Sequence, residues 1–158
     1  MNVDARGPLI AGLAVGVGFM IVFSIAVNGL YPRPPDMFLI VEGKRFKAGY
    51  GSYGGIRWDG THFGADVDWS RTLPEGTINA TRGSEIQFLS PGHVRPVFSS
   101  AHLYGEGLHN LFMLEKVNDN TFRITDEVTK GDYIITVLVQ YRDSMIASSS
   151  YIHKIRIS

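Results

Sequence analysis

Apolar and polar positions follow different rules on the two sides of residue 36. Before it, apolar residues run almost unbroken: Leu9–Val27 carries no charge, and Ser24 is its one plainly polar side chain. As a helix rising about 1.5 Å per residue, this stretch covers roughly 28 Å, close to the hydrocarbon thickness of a bilayer. The pattern predicts one transmembrane helix within an N-terminal anchor, residues 1–30. Tyr31-Pro32-Arg33-Pro34-Pro35 then ends it, because proline lacks the donor a helix needs and restricts the residue before it. Residues 31–36 are expected to form a stiff spacer, with Tyr31 in the interfacial belt.

From Met37 the rule changes to short apolar runs separated by turn residues. MFLIV, Glu42-Gly43 and KRFKA predict a hairpin whose turn uses the positive φ open to Gly43. The segment 48–66 interleaves glycines with Tyr50, Tyr53, Trp58 and Phe63; so many rings predict two short strands and their turns rather than a flexible linker. GTINA (76–80) and SEIQFLS (84–90) are strands, the second with Ile86 and Phe88 opposite Glu85 and Gln87, a period of two. VRPVFSS and the segment His102 to Tyr104 form another strand, weakened by Pro96. LHNLFMLEKV and NTFRIT flank a turn at Asn118-Asp119. GDYIITVLVQY (131–141) is apolar on both faces and predicts a central strand. In the closing strand, Tyr151, His153, Ile155 and Ile157 alternate with Ile152, Lys154 and Arg156. The sum is all-β: an antiparallel β-sandwich over 37–158, preceded by the transmembrane helix.

Composition removes several functions. From Asp36 onward thirteen Lys/Arg face fourteen Asp/Glu, so no electrostatic footprint for nucleic acid exists. With no cysteine in the chain, disulfides, zinc–thiolate sites and a thiol nucleophile are excluded. The head MNVDARG and the passable cleavage pattern Ser24-Ile25-Ala26 admit a signal peptide, but an apolar run this long favours an uncleaved anchor. Arg6 and Arg33 flank the run, which leaves a small positive-inside bias. A short head before a large β-rich body places the tail outside the cytoplasm. Gly12 and Gly16 form one GxxxG, compatible with a transmembrane homodimer or with ordinary membrane-helix glycine usage.

Lys130-Gly131-Asp132-Tyr133, followed by Ile135, resembles the approach to the penultimate strand of immunoglobulin-like domains. The resemblance implies an immunoglobulin-like sandwich in which Tyr133 is the corner tyrosine and Ile135 stands where cysteine is common. Trp58 and Trp69 offer no secure counterpart of the family's core tryptophan. The whole layout, with its Pro-Pro spacer, Gly/aromatic segment and closing hairpin, is similar to a group of single-pass extracytoplasmic proteins of archaea and Gram-positive bacteria. That group lends no activity.

Candidate chemistry is sparse. His93, His102 and His109, with Met113, supply imidazole and thioether ligands suited to copper, although spacings of nine and seven match no compact metal motif. The competing reading is that they are ordinary loop and strand residues. Asp66 and Asp68, with Asp59 upstream, present a carboxylate pair for a cation or a hydrolase, or else turn and cap roles. Ser90, Ser99, Ser100 and Ser148–Ser150 sit in no nucleophile elbow. The glycines at 49–55 lack the helix that follows a phosphate loop. Tyr50, Tyr53, Trp58, Phe63 and Trp69 make either core or a ligand-facing aromatic surface for carbohydrate or a partner. Asn79-Ala80-Thr81 is a glycosylation sequon. The function expected is non-enzymatic: binding, or an accessory module for another membrane or envelope protein, with copper binding as the alternative.

Overall fold

A computed structural model describes residues 33–56, 60–92, 95–105, 111–142 and 146–158. The expected transmembrane helix, its GxxxG and Tyr31-Pro32 lie outside the described residues. Among those described, no helix is long and apolar enough to cross a membrane. Pro34–Ser158 form one compact unit.

The first hairpin forms as its pattern requires. Strand β1 (Phe38–Val41) pairs antiparallel with β2 (Lys44–Lys47), Val41 facing Lys44. Glu42 and Gly43 both take positive φ, 50° and 76°, the twist that closes a two-residue hairpin. Next come β3 (Gly49–Ile56) and β4 (His62–Ala65), also antiparallel, then a single helical turn α1 (Trp69–Thr72). The chain continues through β5 (Ile78–Ala80), β6 (Glu85–Leu89), β7 (Arg95–Gly105), β8 (Leu111–Met113), β9 (Glu115–Asn118), β10 (Thr121–Arg123), β11 (Gly131–Arg142) and β12 (Ile146–Ile157).

Two sheets result. One has the order β2-β1-β6-β10-β9; the other runs β4-β3-β12-β11-β7-β8, with β5 added beside β12. Period-two alternation builds the layer between them. Met37, Leu39, Val41, Ile86, Phe88 and Phe122 of the smaller sheet are buried, as are Leu103, Ile135, Val137, Tyr151 and Ile155 of the larger. Rings interlock across the layer: Phe88 meets Phe98 at 5.9 Å and Phe46 meets His153 at 5.9 Å, between centroids. β11 is central, as its two apolar faces require, flanked by β12 and β7 along nearly its whole length.

Three features go beyond local pattern. β5 leaves its sequence neighbour β6 and pairs parallel with β12, Ile155 facing Ile78. The run 111–118 is divided between sheets: β8 extends the larger one, β9 the smaller. At the crossing, buried Leu114 donates its N–H to the Ala101 carbonyl at 2.9 Å. Pro96 does stay within β7, but near its start and beyond the register shift at Leu138/Val139, where a missing donor costs least.

The Tyr133 hydroxyl donates to the Thr129 carbonyl at 2.9 Å, and Ile135 beyond it is buried. At the N-terminal edge, Pro34 is buried and the Tyr151 hydroxyl donates to the Pro35 carbonyl at 2.8 Å. Asp36 accepts from Tyr50 at 2.8 Å and pairs with Lys47 at 3.0 Å. Pro34, Pro35 and Asp36 are thus held against the sandwich rather than standing clear of it.

Candidate functional site: the outer face of the larger sheet

A half-buried strap between β4 and β5 crosses the face of the larger sheet that points away from the core. Its turn α1 is made by Asp68, whose carboxylate accepts from the Ser70 N–H at 3.0 Å and the Ser70 hydroxyl at 2.7 Å. That is the N-cap role, and Leu73 N–H closes the turn on the Trp69 carbonyl at 2.8 Å. The strap lies close to β3 because residue 49 is glycine. A Cβ there would sit 1.9 Å from the Thr72 carbonyl oxygen, far inside any allowed contact. Ile152 and Thr136, paired with each other across β12 and β11, are buried.

Trp69, carried on the strap, meets Tyr104 of β7 edge-on, 5.9 Å between ring centroids at 72°. Beside them opens a hollow of about 590 Å³, a size ordinary for small-molecule sites. Its floor follows from the strand registers. Ile134 lies between Tyr104 and Lys154, and Asp132 lies opposite Arg156. Arg156 grips Asp132 with two nitrogens, at 2.6 and 3.1 Å. This hydrogen-bonded guanidinium holds the Asp132 carboxyl below the usual carboxylate range. Lys154 has no acidic partner among the described residues. The hollow therefore combines an aromatic wall, an aliphatic floor, one internally neutralised ion pair and one free cation.

A second depression of about 450 Å³ lies at the other end of this sheet, lined by Ser52, Tyr53, Leu138, Gln140, Ser148 and Ser150 among others. The Ser52 N–H donates to Ser150 Oγ at 2.7 Å, so that hydroxyl serves the sheet. Ser100 Oγ and His102 Nε2 are 2.9 Å apart, a serine–histidine contact that two-residue spacing on one strand face produces directly. His102 Nδ1 is buried without a hydrogen-bond partner among the described residues.

His93 and His109 lie outside the described residues. His102 and Met113 are cross-strand partners of β7 and β8, the first half-buried and the second 68% exposed. Burial lowers the pKa of His102. No group of three or more His, Cys, Asp or Glu able to hold a metal occurs among the described residues. Asp59 also lies outside them, Asp66 is exposed, and Asp68 is committed to its cap. Of the aromatic set, Tyr50 packs on Tyr151 at 5.7 Å and Tyr53 on Phe63 at 6.5 Å, all against the core. Trp58 is outside the described residues, Tyr53 also lines the second depression, and Trp69 lines the larger hollow. Its partner Tyr104 was not singled out in the sequence. The signal available was weak: Tyr104 sits two residues from His102 on the same strand face, but nothing local ties it to residue 69.

The fold places the protein among antiparallel two-sheet β-sandwiches. Compared with known proteins, the chain matches no family model, no curated protein and no solved structure.

Proposed function

We propose that this is a membrane-anchored, extracytoplasmic, immunoglobulin-like sandwich that acts by binding, alone or as an accessory module of another membrane or envelope protein. The anchor in this reading is Leu9–Val27, supported by its length and lack of charge. The immunoglobulin-like assignment is supported by the corner bond of Tyr133. The observation that carries the binding role is the hollow beside Trp69 and Tyr104. A tryptophan carried over an outer sheet face by a capped strap offers contact area that the core does not use.

The test is ligand-observed NMR of a mixed fragment and saccharide library against the full chain in detergent micelles. Hits whose binding Trp69→Ala removes are expected. A library that yields no hit, or only hits indifferent to Trp69→Ala, refutes the reading.

Copper binding is the second reading, favoured by the register that sets His102 opposite Met113, with Nδ1 unpartnered among the described residues. It requires stoichiometric copper uptake that the pair His102→Ala and Met113→Leu abolishes; unaltered uptake in that variant removes these ligands.

A further inference from the structure

We propose that the hollow beside Trp69 and Tyr104 binds an acidic glycan, one uronic-acid-type unit at a time; this rests on the reading of that hollow as the binding site. The argument is one of matching each wall to a chemical group. The Trp69 face and Tyr104 suit the C–H face of a sugar ring, because an aromatic face is electron-rich and ring C–H groups are its complement. Asp132 and Arg156 form a planar, exposed pair whose two hydrogen bonds satisfy each other. Such a pair still presents unused lone pairs and N–H groups to vicinal hydroxyls. Lys154 lies across Ile134 from Tyr104, with no acidic partner among the described residues.

Charge decides among ligand classes. Lys154 and Arg156 against Asp132 leave a net charge of plus one at the rim. A purely apolar ligand strips water from all three charged groups and returns nothing for it. A phosphorylated ligand brings about two negative charges at neutral pH towards one free cation and the Asp132 carboxylate. A neutral sugar uses the rings and the ion pair but leaves Lys154 without a role. A sugar bearing one carboxylate uses all of them, and its charge balances the surplus.

The experiment is a fluorescence or NMR titration of the full chain in micelles with oligogalacturonate and with a neutral maltooligosaccharide of equal length. Saturable oligogalacturonate binding is expected, weakened about tenfold by Lys154→Met, the loss of one charged hydrogen bond. It is expected to be lost in Trp69→Ala and to weaken at higher salt, because the contact is exposed. Lys154 is exposed and outside the core, so Lys154→Met reports on binding even where Trp69→Ala disturbs the strap. Absence of saturable oligogalacturonate binding, or binding indifferent to Lys154→Met, overturns the proposal. Equal affinity for the neutral oligosaccharide, lost in Trp69→Ala, overturns the acidic class while the hollow stands as a binding site. Binding of either sugar untouched by both variants overturns both readings.

Discussion

His153 provides the sharpest test of how the core is built. It lies on the inner face of β12, opposite Ile135, and is only 3% exposed. Its ring meets Phe46 edge-on at 5.9 Å, and its Nδ1–H donates to the Lys154 carbonyl at 2.9 Å in the tautomer that satisfies it. Burial pushes its pKa below the ordinary value, the Lys154 charge acts in the same direction, and the carbonyl bond opposes them. A histidine held neutral in the fold binds fewer protons there than in the unfolded chain once the pH drops below about 6.5. Its contribution is therefore intact above that pH and is lost as the pH falls towards the folded pKa. The slope approaches about 1.4 kcal/mol per pH unit, which integrates to about 1 kcal/mol between pH 6.5 and 5.5 for a ring that stays neutral. For a domain of this size that is a Tm drop of about 3–5 °C. The depressed carboxyls of Asp36 and Asp132 act lower, losing stability as the pH falls through and below the ordinary carboxylate range, so this window isolates the imidazoles. Thermal unfolding of the full chain in micelles at several pH values between 7 and 5.5 measures the slope. His102, depressed by burial as well, adds to it with the same sign, and His153→Leu is expected to remove the larger part. An identical slope in wild type and His153→Leu would refute the reasoning.

Other expectations follow from single contacts. Tyr151→Phe deletes the hydroxyl that donates to the Pro35 carbonyl and accepts from Tyr141. The half-buried Pro35 carbonyl and the buried Tyr141 hydroxyl each lose this partner, for a loss of about 1–3 kcal/mol in denaturant unfolding. Tyr133→Phe breaks the bond to the Thr129 carbonyl and is expected to cost about 1 kcal/mol without changing the circular dichroism of the sheets; no shift in the unfolding midpoint contradicts a stabilising role for that bond. Gly49→Ala drives a Cβ to 1.9 Å from the Thr72 carbonyl, a backbone atom that cannot swing aside. The strap is expected to lift, giving a red shift of Trp69 emission in a Trp58→Phe background; unchanged emission means the strap is not held there. Asp68→Ala removes the cap, worth about 1 kcal/mol to a helix end. Because α1 has no buried residue, the expected readout is the same emission shift with little change in global stability.

The alternation of side chains along each strand is a local property, and it was legible without coordinates. The β1–β2 turn, the two-faced apolar β11 and the inward set of β12 follow from spacing and residue type. Pairing is a long-range property, and local pattern carries no register between distant strands. Only the tertiary structure sent β5 to β12 rather than β6, and divided 111–118 between sheets at Leu114. The candidate site belongs to this second kind. Trp69, a candidate aromatic from the sequence, lies far along the chain from Tyr104, Ile134 and Lys154, and nothing local joins them. They meet because β7, β11 and β12 pair in one register and because a glycine at 49 lets the strap close over them.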